Sequence, residues 1–255
     1  MHELCWLMTT KCNQKCGYCS RFLYTRELID DEYYAIVNKL ISYKISQITF
    51  GGGEPLLVPV FDKIVMQLKD ANIHLKLVTN ATNLILHKKI IPYLDEITIS
   101  IDSINAEINE KIGRGKMHFN NVCTALDFIK TNKYNIKINI NSVVSKYNLT
   151  NLEELIPFIS NYKISQWRIF RFSPLRGKAI KNKNLFEISD VEFLNIQNVI
   201  KNYNLKTIIQ FRNYLDMSNK YLLISPDGCL YSSMNLKDVY IGNIFKDDLK
   251  YYFKK

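Results

Sequence analysis

Half of the six cysteines in this 255-residue chain, Cys12, Cys16 and Cys19, fall within the stretch "TTKCNQKCGYCSRF". Thiolates bind soft metal ions and iron–sulfur clusters. A closed zinc site takes four ligands, and a cluster typically takes four cysteines. The C-x3-C-x2-C run supplies three. A fourth zinc ligand would have to come from Cys5, Cys123, Cys229 or one of the histidines at 2, 74, 87 and 118. A cluster held by three cysteines instead leaves one iron open to a substrate or cofactor, so the absent fourth cysteine points to chemistry at an open iron. Cys5 and Cys123 sit in apolar patterns and read as packed core residues. A second motif, Gly51-Gly52-Gly53-Glu54-Pro55, interrupts the chain directly after an apolar run.

The elements that must position these motifs alternate. Strand patterns fall at 4–8, 47–50, 75–79, 96–101, 136–140 (continuing into "NSVV") and 166–170. Between them Tyr33, Ile36, Val37 and Leu40, then Phe61, Ile64, Val65 and Leu68, then Phe119, Val122, Leu126 and Ile129 repeat at helical spacing. A further helix is expected over 84–91, and Thr150-x-x-Glu153 and Ser189-x-x-Glu192 read as capping boxes opening two more. Pro157 falls near the first turns of the first of these. Strand–helix repeated six times implies a parallel sheet covered by helices, curled by right-handed crossovers into part of a barrel. Ligands in such sheets sit at the C-terminal strand ends, where both motifs lie. After Phe170 the pattern changes to a loop, a helix ending near Asn202 and a hairpin turning at Pro226-Asp227-Gly228. The expected organisation is a core over 1–170 and an extension over 171–255 that closes the open side.

Composition sets the limits. The chain is 47% hydrophobic, with 34 basic and 24 acidic residues and a net charge of +10. No apolar run is long enough to cross a membrane as a helix. The start "MHELCWLMTT" lacks signal-peptide features, so a cytoplasmic chain with reduced thiols is expected. The positive charge is dispersed: it suits a lysine-rich surface or a cavity for an anion, and no dense basic run signals nucleic acid.

Cys12-x3-Cys16-x2-Cys19 with Tyr18, followed by a strand and Gly52-Gly53-Glu54-Pro55, resembles the radical SAM superfamily. The resemblance implies an α/β partial (β/α)6 barrel of radical SAM type with a small C-terminal α+β extension. It also implies a [4Fe–4S] cluster on the three cysteines, with S-adenosylmethionine (SAM) on the fourth iron, and a flavodoxin- or ferredoxin-type electron donor. Carbonyls near Gly52 and Gly53, with Glu54, would receive the methionine ammonium. Ser100 and Asp102 suit ribose hydroxyls, Arg114 the methionine carboxylate, and Tyr18 the adenine, while Asn80 ends a strand on the same face. The segment "ISPDGCLYSSMNLKDVYIGNIFKDDL" resembles SPASM and twitch extensions, but Ser232 and Ser233 stand where cysteine is expected and Cys229 is alone, so no auxiliary cluster is expected. Residues 96–177 resemble viperin and its prokaryotic relatives, which dehydrate nucleoside triphosphates; Asn141-Ser142-Val143, Arg114 and Arg168 match that pattern. Gln47, Asn139 and Gln166 replace basic residues of the pattern, Gly51 replaces a serine, and Ser20-Arg21 follows the third cysteine in place of phenylalanine. Arg21, Arg168, Arg171 and Arg176 could supply charge from other positions. A nucleotide-like small anion, a short precursor peptide acted on by a maturase, and another radical SAM dehydrogenase, mutase or activase remain open, as does a zinc or iron–sulfur scaffold without activity.

Overall fold

The computed structural model describes residues 3–213, 216, 221–234 and 237–252. Ten strands form one sheet: β1 (Glu3–Leu7), β2 (Gln47–Gly51), β3 (His74–Thr79), β4 (Glu96–Ser100), β5 (Lys137–Val144), β6 (Ile164–Arg171), β7 (Ile208–Arg212), β8 (Tyr221–Ile224), β9 (Cys229–Met234) and β10 (Lys237–Asn243). Their spatial order is β10-β9-β8-β1-β2-β3-β4-β5-β6-β7. The first six strands are parallel neighbours in sequence order. Helices α1 (Asp30–Ser42), α2 (Phe61–Asp70), α3 (Ala106–Ile112), α4 (His118–Thr131) and α5 (Leu155–Asn161) fall in the crossovers, followed by α6 (Gly177–Lys181), α7 (Lys183–Phe186) and α8 (Asp190–Lys201). This is the expected mixed α/β fold with a mostly parallel sheet, and the sheet is not closed. No helix among the described residues is long and apolar enough to cross a membrane.

The strands segregate their two faces by alternation. Leu4, Trp6, Ile48, Phe50, Leu75, Leu77, Ile97 and Ile99 are buried in the main core cluster with the helix stripes Ile36, Val37, Leu40, Ile64, Val65 and Leu68. Their neighbours of opposite parity, among them Cys5, Thr49, Lys76, Glu96 and Thr98, line a cavity on the other face. Strands covered by apolar packing on both sides would read as unbroken apolar runs. Alternation here marks a concave face that encloses space rather than a second core.

The chain after β6 departs from expectation in placement. It adds β7 in parallel beside β6 at one edge and β8 in parallel beside β1 at the other, with β9 and β10 antiparallel outside it. The extension widens both edges of the sheet and leaves it open. The hairpin between β8 and β9 turns at residues 225–228 as expected. Ser189 and Glu192 form the expected capping box on α8. Thr150 does not cap: its hydroxyl donates to Asn151 Oδ1, a 3-10 turn occupies Leu152–Glu154, and α5 starts only at Leu155, with Pro157 in its first turn. Residues Leu84–Tyr93 form 3-10 turns broken at His87, not an α-helix. Pro92 there has no N–H to donate to a helical ladder.

Candidate active site

The cysteine loop leaves β1 and is stitched to its neighbours backbone to backbone. Met8 N donates to Gly51 O at 2.9 Å, Gly53 N to Thr9 O at 2.7 Å and Glu54 N to Lys11 O at 2.8 Å. On the far side Lys15 N donates to Gly113 O at 2.9 Å and Gly17 N to Ile112 O at 2.8 Å. Such approach needs glycine. A Cβ on Gly53 would lie 2.0 Å from Lys11 O, and one on Gly113, whose φ is +95°, 2.5 Å from Lys15 O. The glycines of the second motif therefore serve first to seat the cysteine loop. Glu27 holds the loop's start, accepting from Thr9 Oγ1 at 2.6 Å and from Thr10 N at 2.8 Å.

Cys12, Cys16 and Cys19 line one cavity of about 450 Å³ together with Gly52, Gly53 and Asn80. Tyr18, Glu54, Ser100, Arg114, Asn141 and Arg176 also reach it. Burial pushes the Cys12 thiol up and the Cys16 thiol to about 11, so these sulfurs favour the neutral form until a cation faces them. Among the described residues, no three His, Cys, Asp or Glu side chains gather closely enough for a single metal ion, and the lining holds no fourth cysteine and no histidine. Three thiols spread around a cavity, with no fourth cysteine or histidine in its lining and with the Glu54 carboxylate taken up by Thr79, Asn80 N and Leu56 N, fit a multi-iron cluster with one iron left open better than a closed zinc site.

A buried polar ring backs the thiols. Tyr18 Oη donates to Asp102 Oδ2 at 2.6 Å, and Arg114 reaches Asp102 Oδ2 through Nε at 2.5 Å, Tyr18 Oη through Nη2 at 2.5 Å and Gln14 Oε1 through Nη1 at 3.1 Å. Gln14 Nε2 donates to His118 Nδ1 at 2.9 Å, and His118 Nε2 donates to Ser100 O at 2.9 Å. The carbonyl fixes the proton on Nε2, so Nδ1 is the acceptor. Burial holds His118 down at about 3, hence neutral. Burial alone would lower Arg114, but Asp102 and Tyr18 hold its charge well above the ordinary value. Asp102 Oδ1 also accepts from Val143 N at 2.8 Å, tying the ring to β5. Tyr18 packs edge-on against Phe186.

Glu54 turns inward. Thr79 Oγ1 donates to it at 2.7 Å, Asn80 N at 2.9 Å and Leu56 N at 3.3 Å, while burial raises its carboxyl. Asn80 in turn donates from Nδ2 to Asn13 Oδ1 at 2.7 Å.

A second cavity of about 460 Å³ lies deeper in the concave face and shares Val78, Asn141, Phe170 and Arg176 with the first. Arg168 lines it, and Asn141, directly opposite on β5, carries a buried Oδ1 without a hydrogen-bond partner among the described residues. Arg176 donates from Nε to Ser20 O at 2.7 Å, stacks 4.8 Å above the Phe22 ring and pairs with Asp238. The structure does not bring Arg171 here. Strand parity puts it on the helix side with Trp167 and Ile169, where it bonds Ile188 O and Asp190. Arg21 lines neither cavity, and its Nε is buried without a partner among the described residues.

Of the three positions where the resemblance has a basic residue and this chain does not, Gln166 lines the deeper cavity, Asn139 donates to Glu96 Oε2 at 3.2 Å, and Gln47 opens β2. Lys76 and Arg212 were missed by sequence reasoning, yet both line the deeper cavity. The signal for Lys76 was present: Leu75 and Leu77 point to the core, so the residue between them must face the cavity.

The radical SAM superfamily model matches residues 6–159. The S-adenosylmethionine-dependent nucleotide dehydratase of Flammeovirga pacifica is 29% identical over 96% of this chain and 87% of its own length. The protein of the same name from Lacinutrix mariniflava is 30% identical over 87% of this chain, which spans about half (48%) of that relative. Among solved structures, SuiB of Streptococcus suis bound to S-adenosylmethionine superposes with a TM-score of 0.74 at 16% identity, over 99% of this chain and 65% of SuiB. Native anSMEcpe with bound AdoMet and Cp18Cys peptide does so with 0.71 at 19% identity, over 99% of this chain and 80% of its own. The chain belongs to the radical SAM superfamily, whose [4Fe–4S] cluster and S-adenosylmethionine are its cofactors.

Proposed function

We propose that this chain is a viperin-like nucleotide dehydratase that binds a nucleotide, or a closely similar small anion, in the deeper cavity beside its cofactors. The observation that carries this reading is the unpaired Arg168 beside the orphaned Asn141 Oδ1, in a cavity continuous with the three-cysteine pocket. The likeness to curated nucleotide dehydratases over nearly the whole chain supports it.

Cys12, Cys16 and Cys19 would hold the cluster. With SAM bound, that cofactor pair supplies a carbon-centred radical able to take a hydrogen atom from an unactivated C–H bond. The protein's part is position and exclusion of water. Gly53 and Gly113 fix the cysteine loop against β2 and the end of α3. The ring of Tyr18, Asp102, Arg114, Gln14 and His118 keeps the wall behind the thiols rigid. Ser100, with a side chain that lines the pocket, and the carbonyls around Gly52 and Gly53 present polar atoms toward SAM, as does Asn80. Arg168 provides positive charge on the substrate side, while Arg176, paired with Asp238, lines the junction of the two cavities. Among the described residues after β6, Leu175, Arg176, Gln210, Arg212 and Asp238 form part of the wall of the deeper cavity.

The test is anaerobic. The cluster is reconstituted, dithionite and SAM are added, and 5′-deoxyadenosine is quantified by mass spectrometry with and without CTP, UTP, GTP or ATP. Strong stimulation by one nucleotide, with a product lighter by one water, is expected. Slow cleavage indifferent to all four would leave the cofactor chemistry standing and remove the nucleotide. It would turn attention to peptides, for which the fold likeness to SuiB, also solved bound to the precursor peptide SuiA, is the present support.

A further inference from the structure

The cationic groups of the deeper cavity fall into two classes. Lys76 faces Glu96 at 3.8 Å, directly opposite it across β3 and β4, and Arg176 pairs with Asp238. Their charges are balanced within the protein. Arg168 and Arg212 are not so balanced. Arg168 has no hydrogen-bond or ion-pair partner among the described residues. Arg212 spends one N–H on Gln210 Oε1 at 2.6 Å and meets no carboxylate among them.

The two arginines are neighbours. β6 and β7 pair in parallel with Arg168 opposite Gln210 and Phe170 opposite Arg212, so both guanidinium groups rise from one face of adjacent strands. Side chains on adjacent strands of one face lie within reach of one another. Two like charges at diagonal positions of adjacent strands, lining one cavity and neither meeting a carboxylate among the described residues, raise the free energy of the empty protein. A bound anion removes that cost and meets two planar forks suited to phosphate oxygens. Gln210 holds the Arg212 fork in place. The orphaned Oδ1 of Asn141, opposite Arg168, adds an acceptor for a donor on the same ligand.

We propose that Arg168 and Arg212 form a two-arginine clamp for the polyphosphate end of the substrate, placing it on the β6–β7 side of the cavity. Gln47 on β2 and Asn139 on β5 leave that side without basic groups at two positions where the viperin pattern has them, Gln166 leaves a third on β6, and Asn139 is engaged by Glu96. The charge is supplied instead from β7, an element of the extension. This assignment rests on the nucleotide reading above for its substrate, but the clamp itself is defined by anion chemistry, and the two can fail separately.

The experiment is anaerobic titration calorimetry on the reconstituted, SAM-loaded protein with three probes: the nucleoside triphosphate that most stimulates cleavage (CTP if none does), its nucleoside, and inorganic tripolyphosphate. Arg212→Gln and Arg168→Gln should each weaken triphosphate binding about tenfold or more, as expected for a lost charge-assisted pair, and leave nucleoside binding little changed. Arg212→Lys should recover part of the loss. Lys163→Gln, which removes an exposed charge beyond the N-terminal end of β6, is the control. If triphosphate binds and both arginine variants behave as the control does, the clamp is overturned while the nucleotide reading stands. If tripolyphosphate binds and depends on both arginines while no nucleotide binds, the clamp stands and the nucleotide reading fails. If neither binds, both are overturned.

Discussion

The two connected cavities are built on opposite principles. Around the cysteines nearly every buried polar group is paired: Asp102 with Arg114, Tyr18 and Val143 N, His118 with Gln14 and Ser100 O, Glu54 with Thr79 and Asn80 N. Deeper in, Arg168 has no hydrogen-bond or ion-pair partner among the described residues, and neither has the Oδ1 of Asn141 at the junction of the two cavities. A fully paired network specifies one geometry and resists change, which suits cofactors whose reactive atoms must be aimed. Unpaired groups cost stability in the empty state and release that cost when a ligand binds. The first cavity is thus finished by the fold, and the second is finished by the substrate.

The sharpest break is at the thiols themselves. Cys16→Ala should abolish both cluster retention, read as iron and sulfide content, and 5′-deoxyadenosine formation. A variant that keeps either would show that the three-thiol pocket is not where the cofactor sits.

The next largest effect tests whether the ring is a unit. Asp102→Asn leaves the Arg114 guanidinium buried without its counter-charge, and breaking such a pair costs about 3–5 kcal/mol. Denaturant unfolding reads it directly. A loss below about 1 kcal/mol, typical of an exposed pair, would mean that water already reaches the ring.

His118 gives a pH signature. Its folded value is about 3, below the ordinary 6.5, so the folded chain binds fewer protons between those limits. The stability it carries is complete above 6.5 and falls as pH drops toward 3, by up to about 1.4 kcal/mol per pH unit. Unfolding free energies from pH 6.5 to 4 should fall more steeply for the wild type than for His118→Gln, which keeps an amide in the same place. Equal slopes would place the acid sensitivity in other groups.

The paired region was largely legible in the sequence, and the unpaired one was not. Cysteine spacing, the glycine run and six alternating elements locate the first cavity, because periodicity and motif residues are local signals. The inward turn of Glu54 was hidden, since its partners Thr79 and Asn80 lie on another strand. β7 and β10 were missed for different reasons. "IIQFR" has no buried residue to set up an alternation, and β10, "KDVYIGN", is an edge strand with a single buried residue, so neither has an apolar face to display. Missing β7 meant missing Arg212. Arg171 misled because composition counts arginines and strand parity sorts them: of two arginines three residues apart on β6, only one can face the cavity.

The smallest expected effect sharpens the comparison most. Arg168→Gln removes a charge that no described residue balances, so folding should lose nothing by it. Unfolding free energy is expected to stay within about 0.5 kcal/mol of wild type, as at sites without a broken interaction, or to rise as repulsion from Arg212 is relieved. A gain in stability alongside a loss of triphosphate binding is the pattern of a group kept for its ligand. A loss above about 2 kcal/mol would show that Arg168 has a structural partner after all. The deeper cavity would then belong with the finished region, and the contrast between the two would collapse.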